Sequence, residues 1–394
     1  MNSFFASVEL LDYPEFKDLP VAVCGDPKSR HGIILAKNES AKRQGVVTAE
    51  TLQSALRKCP SLKIIKPHHE KYRFYSKKIN EIYYQYTEKV EPFSIDESWL
   101  DVTASQTLFG TGEKIANDIR MRVKKELGLT LSAGVSYNKI FAKMGSEYKK
   151  PDATTVITRE NFREMLWDID VSELFFVGFA TSQKFHDAGI RTIGDLATAD
   201  PAILKNLVGK QGAVLQKYAL GMDESPVEPF NQKRKVKSIG NGITFKRNLT
   251  SREDVLVGVT ALSYHVAERL RRHEMKAMGV KVDIRNPRFQ DISRQRQVSI
   301  PTASGADIKN TAISILDSEW SYENPIRLLT VTAINLVSDL DPMQLSFFDA
   351  NKMAQVSKND QNTIGRAIDE INKKYGKGAI QPASSINNDL GIDF

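Results

Sequence analysis

The sequence predicts a multidomain protein of the α+β class, and three observations lead to this fold class. With 394 residues, the chain exceeds what one hydrophobic core supports and suggests roughly two to four domains. Hydrophobic residues make up 41% and charged residues 26%, as in ordinary soluble globular proteins. Strand-like and helix-like segments alternate in residues 1–160 and again after residue 238, whereas residues 161–222 contain short helical segments only.

In the first 160 residues, hydrophobic spacing predicts a mixed domain with crossover helices. Short apolar runs bounded by turn residues predict strands, and apolar positions three or four residues apart predict helices. The predicted strands are 21–24, 33–35, 62–65, two segments within 91–103, 129–135 and 155–157. The predicted helices are 38–45, 51–58, 70–88, 112–127 and 139–148.

The remainder of the chain changes character twice. Residues 161–222 are predicted to form a small helical domain, because five glycines interrupt its helical segments: Gly178, Gly189, Gly194, Gly209 and Gly221. Residues 231–247 contain basic residues and no acidic residue, which indicates a linker. A third unit combines strands at 280–284, 296–300 and 328–336 with helices at 251–273 and 306–319. An amphipathic helix at 361–374 lies in a polar final segment.

The composition also excludes several classes of protein. No apolar run approaches the roughly 18–20 residues that span a bilayer, and no signal peptide opens the chain. Only two cysteines, Cys24 and Cys59, are present, which argues against a disulfide framework or structural zinc and favours the cytoplasm. The net charge of +7 and the pI of about 9.1 are weak indications of a polyanionic partner.

An acidic turn is the most informative local feature. Asp96 and Glu97 are adjacent and have apolar neighbours at Phe93, Ile95 and Trp99. Neighbouring residues on a straight strand point to opposite faces, so both carboxylates reach one ion only at a bend. A hard cation such as Mg²⁺ relieves the repulsion between two such carboxylates. Taken alone, the pair more often means a solvated acidic turn.

Longer strings reverse that balance. The segment from Met1 to Glu9 (MNSFFASVE), taken with Ser94–Ser98 (SIDES), resembles the Y-family DNA polymerases, in particular the DNA polymerase IV group. The resemblance continues through LSAGVSYNKIFAK at 131–143, through 38–46 and through KKPD at 149–152. It extends in order over essentially the whole chain. It implies template-directed nucleotidyl transfer by two metal ions, with low fidelity and tolerance of damaged templates.

The resemblance implies the fold of a right-hand polymerase. A ferredoxin-like palm is expected at 1–9 and 63–160, with small fingers at 10–62. A helical thumb with a helix-hairpin-helix motif is expected at 161–230, followed by a basic linker at 231–240. An α+β little finger at 241–340 and a C-terminal tail at 341–394 complete the expected layout.

The resemblance also implies roles around the acidic turn. Asp96 and Glu97 match the catalytic carboxylates, which would hold two Mg²⁺ ions together with the backbone carbonyl of Met1. Phe5 matches the steric gate, an aromatic ring that would exclude a ribose 2′-hydroxyl; a plain core aromatic is the alternative. The other predicted nucleotide-binding residues are Phe4, Lys42, Tyr72 and Lys150. Lys42 stands where the family usually has arginine, and Tyr72 equally fits core packing.

The sequence departs from the family pattern in two places near the expected site. The first metal-binding aspartate of the family would immediately precede Met1, and so would the strand that carries it. Without that strand the palm would keep unpaired edges, so we expect residues upstream of Met1. Glu39 stands where an aromatic residue usually touches the triphosphate, and we expect its carboxylate to turn outward.

Two further regions are expected to contact DNA. Backbone N–H groups at Gly178 and Ala180 in the thumb hairpin would bind a phosphate, although Ala180 replaces the usual second glycine. The hairpin by itself equally fits a packing module. Four basic residues are predicted to contact the DNA backbone, and such scattered charge also fits a solvated surface: Lys237, Lys246, Arg247 and Arg285.

A partner motif follows the third unit. The string QLSFF at 344–348 resembles the pentapeptide by which bacterial polymerases dock into the β sliding clamp. Leu345, Phe347 and Phe348 would be the apolar anchors and Gln344 the polar one. Packing of the two aromatic rings on their own domain is the alternative.

The resulting expectation is a bacterial, monomeric translesion polymerase that takes primer-template DNA and dNTP as substrates. The alternative is a catalytically impaired, clamp-bound accessory factor of the same fold, which the aspartate missing before Met1 would favour.

Overall fold

The computed structural model describes residues 1–25, 32–230, 232, 235–338, 361–376, 378–386 and 388–392. The predicted clamp-binding residues 344–348 lie outside this range. Among these residues the chain divides into two compact units, one formed by residues up to 232 and the other by residues from 235 onward.

The first unit is a mixed α/β assembly followed by a helical region. In chain order, its elements are α1 (Phe4–Leu10), β1 (Val21–Cys24), β2 (Ile34–Lys37), α2 (Glu39–Arg43), α3 (Leu52–Lys58), β3 (Lys63–Ile65), α4 (His69–Tyr83), β4 (Val90–Pro92), β5 (Ser98–Leu100), α5 (Gln106–Phe109), α6 (Gly112–Leu127), β6 (Ala133–Ser136), α7 (Lys139–Tyr148), β7 (Thr154–Ile157), α8 (Phe162–Leu166), α9 (Phe179–Asp187), α10 (Ile193–Thr198), α11 (Pro201–Val208) and α12 (Lys210–Ala219).

The expected fingers region, 10–62, shares a small sheet with β3, which begins at Lys63 in the range expected for the palm. Strand β1 lies between β2, with which it pairs antiparallel, and β3, with which it pairs parallel. Asn38 joins this sheet to α2, because its side-chain oxygen accepts hydrogen bonds from the amides of Val21 and Ala41, each at 3.0 Å. The small core between sheet and helices includes Cys24 and Cys59, both buried.

The expected palm region contains two separate two-stranded sheets. Strands β4 and β5 pair antiparallel, and β6 and β7 pair parallel. Residues of β5 and β6 line one cavity of about 480 Å³ together with Met1, Asp96 and Glu97. Among the described residues, β5 and β6 are each the edge of a two-stranded sheet. Helices α1, α4 and α6 supply the surrounding core.

The helical region from α8 to α12 packs around its own apolar residues, with α7 contributing Ile140, Phe141 and Met144. Helix α10 begins with a capping box, in which Thr192 and Asp195 satisfy each other's backbone amides. Gly221 ends the region at a φ of +72°, and a Cβ there would meet the Tyr137 hydroxyl and the Phe141 ring. The chain therefore approaches α7 closely at a position where only glycine fits.

The second unit is an antiparallel sheet covered by helices. Its elements are β8 (Ser238–Leu249), α13 (Arg252–Arg272), β9 (Met275–Arg285), β10 (Asp291–Thr302), α14 (Gly305–Glu319), β11 (Ile326–Ser338) and α15 (Gln361–Tyr375). The strands lie in the order β10-β9-β11-β8, and every neighbouring pair is antiparallel. Helices α13 and α14 share a core with the sheet.

Most predicted elements are confirmed within a few residues, but the start of the second unit is not. The sequence predicted a basic linker at 231–240 and no strand between 158 and 279, whereas β8 occupies Ser238–Leu249 and pairs with β11. Gly240 and Gly242 give this segment poor strand propensity, which concealed it. The pairing needs a glycine at 240, since a Cβ there would lie 2.5 Å from the Thr332 hydroxyl. Two other predicted elements are shorter: the helix at 70–88 ends at Tyr83, and the strand at 129–135 begins at Ala133.

The final residues pack against the second unit. Leu390 and Ile392 are only 2% and 6% exposed and belong to the core of that unit. The amide of Lys246 in β8 donates to the carbonyl of Leu390 at 2.9 Å. The end of the predicted tail is therefore part of the second unit's packing.

Candidate active site

Asp96 and Glu97 lie at the bend between β4 and β5. The amides of Phe93 and Ser94 both donate to the carbonyl of Glu97, at 2.9 and 3.2 Å, and close the turn. The Ser94 hydroxyl donates to the Asp96 carboxylate at 2.9 Å. Each carboxylate side chain is 29% exposed, so both are partly withdrawn from solvent at one end of the cavity.

Lysines of α7 and of the turn after it face these carboxylates. The Lys143 ammonium donates to Glu97 at 2.7 Å and to Glu147 at 2.6 Å. The Lys150 ammonium lies 2.6 Å from the other Glu147 oxygen. Burial by itself lowers the pKa of Lys143, but the hydrogen bonds to Glu147 and Glu97 outweigh it and raise that pKa. Lys143 therefore stays a cation beside the acidic turn.

A second ion pair supports the same wall of the cavity. The Lys139 ammonium donates to the Glu91 carboxylate and lies 5.1 Å from the centre of the Trp99 ring. The indole N–H of Trp99 donates to the Lys139 carbonyl at 3.0 Å. The same Glu91 oxygen accepts from the amide of Glu228 at 2.9 Å, which ties the end of the helical region to the palm.

Met1 lies directly against the acidic turn. Its amino group donates to the backbone carbonyl of Asp96 at 2.9 Å and lies 3.9 Å from the Asp96 carboxylate. Burial lowers the pKa of this amino group, and the charge of Asp96 partly opposes that effect. Asn2 fixes the start of α1, because its side chain bonds to the hydroxyls of Thr130 and Ser132, each at 3.1 Å.

The donor set suits a hard divalent cation but is small. Among the described residues, no group of three or more His, Cys, Asp or Glu side chains is placed to hold a metal ion. Two carboxylates fit Mg²⁺ coordination when substrate phosphates and water complete the shell. Asp96 and Glu97 meet that requirement for one ion, and any second ion would depend chiefly on ligands from the substrate.

The predicted steric gate stacks on the predicted nucleotide-contacting tyrosine. The rings of Phe5 and Tyr72 are 4.1 Å apart and nearly parallel, with an interplanar angle of 11°. Phe5 is half-buried, whereas Tyr72 is fully buried behind it and Phe4 is 4% exposed in the core. Phe4 and Tyr72 thus serve as packing in this structure, and their contact with a nucleotide remains a prediction.

In the expected fingers, Lys42 and Glu39 lie on the exposed face of α2. The Lys42 side chain is 63% exposed, and its ammonium lies 3.9 Å from the Glu39 carboxylate. Glu39 is therefore paired at the surface, in line with the expected outward orientation.

The hairpin that precedes α9 presents backbone and aromatic groups to solvent. Gly178 is the N-cap of α9, and both Gly178 and Ala180 are exposed. Phe179 between them is 83% exposed, and Phe176 is 52% exposed with a φ of +74°. The sequence did not single out these two aromatic residues; their position within the hairpin string was the available signal.

Carboxylates engage two of the four predicted DNA-contacting cations in the second unit. Arg247 bonds in bidentate fashion to Asp254, at 2.6 and 2.8 Å, and to Asp389, at 2.6 and 2.9 Å. Arg285 bonds to Asp291 at 2.7 and 2.8 Å. Lys237 and Lys246 are exposed. The two arginines would therefore have to share or release their carboxylates to contact DNA.

Sequence reasoning assigned no role to two residues beside the acidic turn: Lys143, which bonds to Glu97, and Glu147, which bonds to Lys143 and Lys150. Lys143 lies inside a recognised string but had no assigned role, and Glu147 was not noticed. Their spacing was a usable signal, because Glu147 is four residues after Lys143 and three before Lys150, distances that join side chains along one helix face.

Comparison with known proteins decides the family. Residues 1–147 match the impB/mucB/samB family, and residues 236–347 match the C-terminal domain of the same family. A DNA polymerase IV of Acetivibrio thermocellus is 43% identical over 376 residues, which cover 95% of this chain and 93% of that protein. The chain belongs to the Y-family of DNA polymerases. The family assignment drawn from the sequence motifs is therefore confirmed.

Other Y-family relatives match over similar lengths. DNA polymerase IV of Clostridium kluyveri is 37% identical and covers 98% of this chain and 96% of that protein. DNA polymerase IV 1 of Bacillus subtilis is 34% identical and covers 99% and 92%, respectively. Y-family DNA polymerases generally use divalent metal ions.

A solved Y-family DNA polymerase chimera confirms the fold. It superposes with a TM-score of 0.76 at 22% identity, covering 86% of this chain and 97% of that chain. The predicted α+β right-hand fold, with palm, fingers, thumb and little finger, agrees with this likeness. Within the described ranges, none of the helices is both long enough and apolar enough to cross a membrane.

Proposed function

We propose that the chain catalyses template-directed addition of dNTP to a primer 3′-hydroxyl, and that it does so at damaged templates. The reaction forms a bond between the 3′-oxygen and the α-phosphorus and releases pyrophosphate. DNA-directed DNA polymerase activity follows from membership of the family. The observation that carries the site assignment is the half-buried Asp96–Glu97 pair, with Lys143 and Lys150 beside it on one cavity.

Asp96 and Glu97 are the proposed metal ligands, with two Mg²⁺ ions as the cofactor and the Met1 carbonyl as an additional ligand. When bound, such ions neutralise charge on the triphosphate and favour ionisation of the attacking 3′-hydroxyl. In the structure Lys143 balances the Glu97 charge at 2.7 Å, so this ammonium would weaken its hold as a metal ion binds.

The remaining predicted site residues would bind and select the nucleotide. Lys150 and Lys42 are proposed to pair with the triphosphate, after exchanging Glu147 and Glu39 for phosphate oxygens. Lysine holds phosphate as a point charge, so Lys42 would give less orientation than the arginine usual in the family. Phe5 is the proposed steric gate, because it is half-buried and its ring is fixed by stacking.

Three further assignments complete the proposal. Gly178, Ala180, Lys237, Lys246, Arg247 and Arg285 would contact the DNA backbone. The QLSFF string at 344–348 would dock into the groove of the β sliding clamp, which would hold a weakly processive enzyme near the primer end. The protein would act in the cytoplasm as a monomer apart from these partners. Relatives named DNA polymerase IV do not favour the alternative of a non-catalytic accessory factor.

Single-nucleotide primer extension with Mg²⁺ tests the catalytic assignment. Asp96→Ala should lower the incorporation rate at least about a hundredfold, because it removes one of two charged ligands. Glu88→Gln, an exposed acid eight residues earlier, is the matched control and should retain activity. An Asp96→Ala variant as active as wild type would overturn the site, and an inactive wild type would favour the accessory factor.

Clamp docking has its own measurement. Phe347→Ala with Phe348→Ala should abolish measurable binding to the bacterial β clamp, whereas Ser346→Ala, inside the same string but not an anchor, should bind normally. Unchanged clamp affinity of the double variant would mean that the two rings have another role.

A further inference from the structure

A buried carboxylate lies one helical turn beyond the predicted steric gate. Glu9 is fully buried on α1, four residues after Phe5, so both side chains project from the same side of the helix. A buried carboxylate is costly unless it is hydrogen-bonded or paired. Its partners therefore indicate what it does.

The partners of Glu9 are the Tyr72 hydroxyl and the polar groups next to it. The Tyr72 hydroxyl donates to Glu9 at 2.5 Å and accepts from the His68 amide at 3.1 Å. The same Glu9 carboxylate accepts from the His68 amide at 3.3 Å and lies 3.1 Å from the His68 ring nitrogen Nδ1. The Lys71 ammonium is 3.7 Å away and balances its charge. The polar end of Tyr72 is thus fixed in one position.

The aromatic ring of Tyr72 packs against the ring of Phe5. The Phe5 ring stacks on Tyr72 at 4.1 Å, and the His69 ring meets both rings edge-on, at 6.0 and 5.7 Å. Stacking between aromatic rings is favourable only in particular relative positions, so the position of one ring constrains that of the other. Tyr72 is held by Glu9, and Phe5 is held by α1 and by Tyr72.

We propose that Glu9 is a positioning residue for sugar selection: it fixes Tyr72, and through the stacked ring it fixes Phe5. Glu9 touches no substrate in this scheme. Without its hydrogen bond, Tyr72 rotates or shifts, the Phe5 ring gains room to move, and a 2′-hydroxyl is accommodated more easily. The proposal rests on the assignment of Phe5 as the steric gate.

The test measures kcat/KM for dNTP and for the matching rNTP in single-nucleotide insertion by the full chain. Tyr72→Phe keeps the stacked ring but removes the hydrogen bond, and Glu9→Leu removes the acceptor. Each should lower discrimination against rNTP by about tenfold, the effect of one buried hydrogen bond. Glu9→Gln keeps an acceptor of the same shape and should stay within about threefold of wild type.

A double variant separates positioning from general loss of structure. If Glu9 acts through the Tyr72 hydroxyl, Glu9→Leu with Tyr72→Phe should lose no more discrimination than the stronger single variant. The loss should appear as a higher kcat/KM for rNTP relative to kcat/KM for dNTP, measured on the same variant. Thermal melts identify any variant that fails to fold, and Tyr72→Phe then decides the outcome, since it is the mildest change.

Phe5→Ala is the control for the gate itself. If Phe5→Ala leaves sugar discrimination unchanged, the gate assignment fails, and the role proposed for Glu9 fails with it. If Phe5→Ala admits rNTP while Tyr72→Phe discriminates like wild type, the gate stands and the Glu9 proposal is overturned. Multiplicative effects of Glu9→Leu and Tyr72→Phe would also overturn it.

Discussion

The packing of the final residues predicts that they stabilise the second unit. Leu390 and Ile392 are 2% and 6% exposed, so replacing each by alanine removes three buried carbon atoms. At about 0.8 kcal/mol per carbon, each change costs about 2.4 kcal/mol, the low end for buried aliphatic residues. The low end applies because a terminal segment can retreat without leaving a cavity.

The double variant Leu390→Ala with Ile392→Ala should therefore lower the free energy of unfolding by roughly 3–5 kcal/mol. Because the two side chains are neighbours, coupling between them would make their effects sum to less than twice the effect of one change. This is a large share of the roughly 5–15 kcal/mol that stabilises a typical domain. Urea unfolding should show a midpoint lower by at least about 1 M, since m is about 1–3 kcal/mol/M.

Tryptophan fluorescence can isolate the second unit in the full chain. Of the three tryptophans, Trp320 packs on the core of that unit, so a background with Trp99→Phe and Trp167→Phe leaves one reporter. Ile386→Ala is the matched control, because this side chain is 50% exposed in the same segment. If the double variant unfolds at the same urea concentration as the control, the packing of the final residues is not what stabilises the unit.

Three further predictions concern the first unit. Lys139→Met should lower the free energy of unfolding by about 3–5 kcal/mol, because it removes the cation beside buried Glu91. Adding Glu91→Gln should restore part of that stability in urea unfolding, and no restoration would contradict the pairing. Gly221→Ala should lower the melting temperature well below that of Gly209→Ala. Both glycines have a positive φ, but a Cβ at 209 meets nothing within 4 Å. Equal melting temperatures would argue against the close approach at 221. Hydrogen bonds, chiefly from Lys58, hold the pKa of Glu50 at about 2, below the ordinary value of 4.5. Ionised Glu50 therefore stabilises the fold above about pH 4.5, and this contribution is lost as the pH falls toward 2. The stability deficit of Glu50→Gln should accordingly be largest near pH 7 and narrow between pH 5 and pH 3, and a deficit independent of pH would contradict this reasoning.

Local patterns were enough to predict much of the fold and the centre of the site. Helix α6 was predicted at its observed bounds, 112–127, because its apolar residues recur at helical spacing, and in the structure Gly128 ends it in the left-handed region. Asp96 and Glu97 stood out as adjacent carboxylates in an apolar context, and the resemblance to the family made them the predicted metal ligands. The family strings did the rest, since they place residues that are distant in sequence on one known framework.

Tertiary structure alone decided which charges meet. Lys143 bonds to Glu97 across 46 residues, Tyr72 to Glu9 across 63, and Arg247 to Asp389 across 142. Nothing in local composition distinguishes these pairs from solvated surface charges. Burial selects the partners of Glu9 and, in part, of Glu97, because a carboxylate withdrawn from water needs a partner within hydrogen-bonding distance. Asp389, in contrast, is 69% exposed and is brought to Arg247 by the packing of Leu390 and Ile392.

The same reason explains the strand and the terminal segment that the sequence concealed. Ser238–Leu249 contains glycines that disfavour a strand locally, yet pairing with β11 satisfies its backbone groups. Leu390 and Ile392 are isolated apolar residues in a polar segment, and only the surface against which they fold makes them core. By itself, the sequence determined the family and most of the helices and strands, because these depend on recognisable strings and on local patterns. The long-range partners were decided by the folded chain, where burial makes each unpaired charge or exposed apolar group costly.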